Sequence, residues 1–404
     1  MIILVAQLGA RMHYAVPEIF HRNKCLGMFC TDIYAGQGWP SILKYFSVKF
    51  LPKSIRRLRG RLINFVPKNK IIHFPVFGLS YAYKKSKIRS EEDGAAVHIS
   101  FGSRFNKKII DSIIDDIDAV YGFNSASLEL FEFAKMNSIK TILEQTIAPR
   151  YKERELINLA RKKFPTWDDG IEEGPNIQAF CEREVKEWNY ADLIICGSNF
   201  VKKSIAECGG PIERCVVVPY GVGSKFKINR DKRQPGPLRV LTVGAVGLRK
   251  GSPIVMEVAH RLKGKCEFRM VGQINCGADA LLELKKEVNV IGAIPRNEIL
   301  THYEWADIFF LPSLCEGSAT VTYEALIAGL PVICTENTGS VVTHGLNGFI
   351  VDVLNSDSAM KAFELFLNNS ELLQELSKNA VESSTQCTLE AYEERLMDVI
   401  KRIR

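Results

Sequence analysis

Short β-branched or apolar runs alternate with helical stretches along this chain, and the alternation runs through twice. Parallel strands must be joined by crossovers, so this pattern points to open, doubly wound α/β sheets. In the first half the expected strands are Ile2–Gln7, Ala96–Ser100, Ala119–Tyr121, Lys140–Leu143, Leu193–Cys196 and Val216–Val218. Between the last two, SNFVKKSIAECG reads as an amphipathic helix with Ser198 as N-cap and Gly209 at its end. A polar, turn-rich stretch at 224–237 is the best linker in the sequence. The pattern then restarts, with strands expected at Leu238–Val243, Glu267–Gly272, Asn289–Gly292, Ile308–Leu311, Pro331–Cys334 and Gly348–Val351. Residues 356–404 read as helical, without a strand. The expectation is two doubly wound domains facing each other across a cleft.

Length and composition agree. A chain of 404 residues exceeds one ordinary core, and 46% hydrophobic with 25% charged residues excludes disorder, collagen-like repeats and a disulfide scaffold. The apolar opening MIILVAQLGA meets Arg11 too early to span a bilayer and has no basic region ahead of it. Neither a membrane span nor a signal peptide is expected there. Eleven scattered cysteines with no C-x-x-C pair suit a reducing compartment, so the cytoplasm is the expected location.

Charge is unevenly spread. Residues 35–90 hold 13 Lys and Arg and no Asp or Glu, although the whole chain carries only +7. Bulky apolar residues separate these cations, which a merely solvated face would not need. An anionic membrane surface is the expected partner of this segment. Nucleic acid is not expected, because no Cys/His finger or aromatic RNA-binding strand accompanies the charge.

The segment FLPSLCEGSATVTYEALIAGLPVI (310–333) carries the most chemistry. A strand ends at Pro312, a small-residue loop follows, and a helix then runs to Gly329. Amides at such a helix start, with the positive end of its dipole, suit a phosphate. Glu316 in the loop and Glu324 in the helix would repel a phosphate, but they would accept hydrogen bonds from hydroxyls on either side of it. Alone, they also read as a loop acid and a surface helix residue. A second element, VGAVGLRKG (243–251), turns on Gly244 and Gly247 and closes with Arg249 and Lys250. Alone, an Arg-Lys pair in a loop is usually solvated.

The E-G-S-A-T-V-T-Y-E-A-L-I-A-G-L-P-V-I run resembles the E-x7-E signature of retaining glycosyltransferases of family 4, which have the GT-B fold. The resemblance implies that Glu316 contacts hydroxyls of the transferred sugar and that Glu324 holds the donor ribose. It further implies that Gly317, Ser318 and Ala319 present amides to the diphosphate. V-G-A-V-G-L-R-K-G is similar to the family's V-G-R-L-x-x-x-K-G loop, with Lys250 at the family lysine and Ala245 where the family has arginine. Arg249 would then supply the missing charge. Gly9 in Q-L-G-A resembles the glycine loop of the first domain, and NTGSVVTHGLNGFIV (337–351) the closing wall of the cleft. Many members carry a histidine after the strand equivalent to Lys140–Leu143, where this chain has Glu144-Gln145-Thr146. His13 is the histidine to test first, and none is assigned as catalytic.

The resulting expectation is a retaining, metal-independent transferase that moves a sugar from a nucleotide sugar to a lipid-linked or glycan acceptor, with no cofactor. Residues 1–222 would form the acceptor side, 223–385 the nucleotide-sugar side, and 386–404 a helix crossing back onto the first domain. The segment 35–90 would seat the enzyme peripherally on the inner face of the cell membrane. The alternatives are another GT-B enzyme, such as an epimerase or phosphorylase, and a non-catalytic nucleotide- or membrane-binding module.

Overall fold

The computed structural model describes residues 1–46, 58, 60–63, 65–113, 116–167, 173–228 and 236–403. Much of the basic segment, the core of the expected linker and the acidic pair Asp168-Asp169 therefore lie outside the described residues.

Two all-parallel sheets carry the fold. The first contains β1 (Ile3–Gln7), β2 (Leu26–Thr31), β3 (Ile71–His73), β4 (Ala119–Phe123), β5 (Lys140–Gln145), β6 (Leu193–Cys196) and β7 (Cys215–Val217), in the order β3-β2-β1-β4-β5-β6-β7. The second contains β8 (Leu238–Val243), β9 (Cys266–Val271), β10 (Asn289–Gly292), β11 (Ile308–Leu311), β12 (Val332–Thr335) and β13 (Gly348–Val351), in the order β10-β9-β8-β11-β12-β13. The central strands are buried throughout, as a sheet covered on both faces requires. Strand order reverses at β1, between β2 and β4, and at β8, between β9 and β11. Ligand crevices in such sheets open beyond the carboxyl ends of the strands at these reversals. The Gly9 loop follows β1, the Gly244–Lys250 loop follows β8, and the Glu316 loop follows β11, so both reversals are lined by the expected residues.

One expected strand is wrong. Ala96–Ser100 lies inside the helix Glu91–Ile110. Ser90 caps that helix by accepting from the Asp93 amide at 3.0 Å, and Glu91, Glu92 and Asp93 fill its first turn. Its buried residues, among them Ala95, Phe101, Phe105 and Ile109, follow a helical spacing rather than an alternating one. Strands β2 and β3 take the places left open beside β1, and neither was expected from the sequence.

The helix Leu389–Lys401 crosses back onto the first sheet's domain. Arg395 donates to the carbonyls of Pro219 (2.9 Å) and Tyr220 (3.2 Å), while Glu393 accepts from Arg22 (2.6 Å) and Asn23 (2.7 Å). Leu396, Val399 and Ile400 join the apolar cluster that contains Ile3, Val5 and Phe20.

Candidate functional site

The loops after β8 and β11 are locked together before any side chain chemistry begins. Leu314 donates its amide to the Arg249 carbonyl at 2.8 Å, and the Glu316 amide donates to the Asn337 carbonyl at 3.0 Å. Gly247 donates to Ser252 Oγ at 2.8 Å. At Gly251 φ is +71°, and an added Cβ would stand 2.0 Å from the Pro312 carbonyl oxygen. Gly244 leaves the space in which the Lys250 stem lies, since a Cβ there would come within 2.9 Å of Lys250 Cε.

This frame brings three expected residues to one point. Glu316 Oε1 pairs with Lys250 Nζ at 2.7 Å and with Arg249 Nη1 at 2.8 Å. Lys250 and Glu316 are buried, whereas Arg249 is about a third exposed and also donates to the Cys315 carbonyl at 3.0 Å. Arg249 Nε lies 4.0 Å from Glu153 on the helix Arg150–Lys163 of the first domain. Burial would lower the Arg249 pKa, but Glu316 and Glu153 outweigh it and hold the guanidinium above its ordinary value. Two fixed cations on one carboxylate, at the carboxyl end of a parallel sheet, form a site that an anionic leaving group can share.

Glu324 lies separately, on the helix Thr320–Ile327, and is fully buried rather than on a surface. It pairs with the Arg296 guanidinium and accepts from Tyr303 Oη at 2.9 Å. Burial raises its pKa against the opposing pull of Arg296 and Tyr303. Arg296 is itself half exposed and lies 5.1 Å from the centre of the Phe226 ring.

Gly317 and Ser318 also pack against the first domain, and the Ala319 amide is engaged within the second. A Cβ on Gly317 would sit 1.9 Å from the Thr146 carbonyl oxygen, so this glycine lets the second domain's loop touch the first domain. Ser318 Oγ accepts from the Tyr220 amide at 3.3 Å and bonds to Tyr323 Oη at 2.5 Å. The Ala319 amide donates to the Thr338 carbonyl at 3.2 Å. The Gly317–Thr146 approach and the Ser318–Tyr220 bond tie the two halves of the chain together.

Across the cleft, Gly9 has φ +91° and open space above it. Its amide donates to Asp32 Oδ1 at 3.0 Å, and Gln7 Nε2 holds the loop through the carbonyls of Gly9 and Arg11. Met12, His13 and Tyr14 follow with φ of 44°, 51° and 66°, a left-handed run that costs on the order of 1 kcal/mol per residue. Tyr14 anchors it, buried against Phe29 with its hydroxyl donating to the Ile33 carbonyl at 3.2 Å. Desolvation by the surrounding atoms, with Arg296 and Lys225, lowers the His13 pKa. At the end of β5, Glu144 is sealed from the cleft: Tyr121 and Tyr220 donate to it at 2.5 and 2.6 Å, and burial raises its pKa.

The structure thus joins Arg249, Lys250 and Glu316, backs them with Gly244 and Gly247, sets Glu324 apart, and leaves Gly9 on the first domain's own loop beyond β1. Arg296, Tyr303 and Glu153 escaped the sequence reading. Only Arg296 left a signal, as a lone cation on a proline-bounded turn just beyond the end of β10.

The fold is GT-B. Residues 224–383 match the family model of glycosyl transferases group 1. The match lies in the second domain and covers less than half of the chain. Among curated relatives, the amylovoran biosynthesis glycosyltransferase AmsK of Erwinia amylovora is 28% identical over 176 residues, which cover 39% of this chain and 43% of that protein. The chain therefore matches less than half of that relative's length. The crystal structure of Anabaena Alr3699/HepE in complex with UDP is similar over 100% of both chains, with a TM-score of 0.63 and 13% identity. WaaG, a glycosyltransferase involved in lipopolysaccharide biosynthesis, matches over 99% of both chains with a TM-score of 0.62 and 15% identity. At such identities the two structures bear on fold alone.

Proposed function

We propose that this chain is a retaining glycosyltransferase that takes a sugar from a nucleoside diphosphate and gives it to a lipid-linked or glycan acceptor without a bound metal ion. The observation that carries this reading is the convergence of Lys250 and Arg249 on Glu316 beyond β8 and β11. A diphosphate entering there competes with Glu316 for both cations and frees its carboxylate for the sugar's hydroxyls. As the glycosidic bond breaks, charge grows on the departing phosphate oxygen, and the cations stabilise it more than they stabilise the ground state. The acceptor hydroxyl attacks from the same face, and its proton passes to that oxygen, so retention needs no strong protein base. Residues 223–385 hold the nucleotide sugar in this reading, residues 1–222 the acceptor, and 386–404 join the two halves. Excess chelator should leave turnover intact, measured as nucleoside diphosphate release. Complete loss restored by added Mg²⁺ or Mn²⁺ would overturn metal independence.

Glu324 takes the ribose, exchanging its bond to the half-exposed Arg296 for bonds from the sugar hydroxyls. Glu324→Ala should weaken UDP binding by about 10–100-fold in calorimetry, the loss expected for hydrogen bonds to a charged group. Unchanged affinity in a folded variant would remove Glu324 from the nucleotide site.

The anionic inner face of the cell membrane is the proposed seat, with the enzyme otherwise cytoplasmic. No helix among the described residues is long and apolar enough to cross a membrane. Within 35–90, Trp39, Ile42, Tyr45, Phe46 and Phe65 are large apolar residues left exposed beside the cations. Each basic group near such a surface contributes on the order of 1 kcal/mol. Sedimentation with vesicles should require anionic lipid and fall with salt. Equal partitioning to neutral vesicles would reject the electrostatic part.

A further inference from the structure

The loop after β1 carries a cation that the donor site does not use. Arg11 is exposed, and its Nη1 donates to Thr146 Oγ1 at 2.5 Å, just beyond the end of β5. Strands β1 and β5 flank β4, so this bond joins the loops on either side of it. Thr146 is itself fixed: its hydroxyl and its amide both donate to Asn124 Oδ1, at 2.8 and 3.2 Å, beyond the end of β4. Asn124 Nδ2 donates in turn to the buried Glu184 at 3.0 Å, and Glu184 also accepts from the Arg150 amide at 2.7 Å. Because the Thr146 hydroxyl proton goes to Asn124, a lone pair of its oxygen is left to seat Arg11. The carbonyl of the same Thr146 is the atom that Gly317 approaches, one residue after Glu316. Thr146 therefore links Arg11 to the Glu316 loop across the domain boundary.

No carboxylate among the described residues pairs with Arg11, whose guanidinium also lies 6.0 Å from the centre of the Phe123 ring. The acids of the neighbouring loops are engaged elsewhere. Asp32 pairs with Arg61 and accepts from the Gly9 amide, Glu144 accepts from two tyrosines, and Glu153 pairs with Arg150. The bond to Thr146 uses one of five guanidinium donors, so most of the fork remains for a ligand. Gly9, two residues before Arg11, clears space, since a Cβ there would meet nothing within 4 Å. The left-handed run Met12, His13 and Tyr14 follows directly, strain of the kind that persists where a site fixes the direction of a neighbouring side chain. A guanidinium seated before its ligand arrives loses little freedom on binding. One fixed cation without a counter-charge, at the carboxyl end of a parallel sheet, suits an oxyanion; a neutral hydroxyl would not require it.

We propose that Arg11 holds an anionic group of the acceptor, a phosphate or a carboxylate, and so selects acidic acceptors over neutral ones. Thr146 is the positioning residue that seats it. Calling the ligand the acceptor rests on the glycosyltransferase reading above; capture of an oxyanion by Arg11 does not. Calorimetry on the chain saturated with UDP, titrated in turn with glucose 6-phosphate, glucuronate and glucose, tests it. At least one of the two charged sugars should bind about tenfold or more tightly than glucose, the gain expected from one charged contact. Whichever binds more tightly identifies the group. Arg11→Ala should bring that ratio to about one, and Arg11→Lys should keep part of it. Thr146→Val should lower it, with UDP affinity unchanged in all three variants as the sign that they fold. A wild-type chain that binds none of the three sugars, or binds them equally, would overturn the inference. So would a preference that survives Arg11→Ala, or weakened UDP binding in that variant, which would move the residue to the donor. Loss of the preference in Lys250→Ala but not in Arg11→Ala would place the anion on the donor loop and overturn it as well. A Lys250→Ala variant with normal UDP affinity would instead count against the donor reading and leave this one standing.

Discussion

Lys250→Ala is expected to lower kcat by roughly 10²–10³-fold, the range typical for losing one preorganised electrostatic partner. The lysine is fixed before any substrate arrives. Its stem fills the space over Gly244, and its ammonium is held 2.7 Å from Glu316 in a buried setting. Little reorganisation is therefore needed when charge develops on the leaving oxygen. The loss should fall on kcat more than on KM. Arg249→Ala should cost less, because that side chain is partly exposed and is also bonded to the Cys315 carbonyl. The double variant should be non-additive, since both cations meet the same carboxylate and, in this reading, the same phosphate. Removing Lys250 still leaves Glu316 paired with Arg249, so the fold should survive and the kinetics remain interpretable. Near-normal kcat in a folded Lys250→Ala enzyme would show that the loop is structural.

Gly251→Ala should be strongly destabilising. The residue sits at φ +71°, where a non-glycine side chain costs roughly 1–2 kcal/mol. Its Cβ would meet backbone, the Pro312 carbonyl oxygen at 2.0 Å, which cannot swing aside as a flexible side chain could. Overpacking of this kind adds about 1–3 kcal/mol, so a loss of about 2–5 kcal/mol is expected from urea unfolding. The two contacting loops carry Lys250 and Glu316, so residual activity should fall further than stability alone explains. A loss below about 1 kcal/mol would mean that the two loops separate easily.

The second domain was legible because its strands are short, continuous apolar runs closed by Gly or Pro, as in Phe310-Leu311-Pro312. The first domain was harder. Its strand β2 reads LGMFCT, with a glycine and no alternation, and β3 has only three residues. Conversely, AVHIS has strand-like composition, yet Ser90 and three acids just before it start a helix that the local run alone does not disclose. In the site, Lys250 and Glu316 were readable because the runs that hold them, V-G-A-V-G-L-R-K-G and E-G-S-A-T-V-T-Y-E, resemble a family's motifs. Arg296 was not, because its meaning comes from Glu324, a partner 28 residues away.

The returning helix Leu389–Lys401 bears on the order in which the molecule can be made. Its Leu396, Val399 and Ile400 belong to an apolar cluster that also holds Ile3, Val5 and Phe20, which are synthesised well before them. Domains of nascent chains generally fold from the amino end as they emerge. Here the first sheet's domain keeps part of its apolar surface uncovered until the second domain has been synthesised. During translation that surface is a natural place for a chaperone to hold the chain, until Tyr392 packs against Tyr220 and the returning helix covers it.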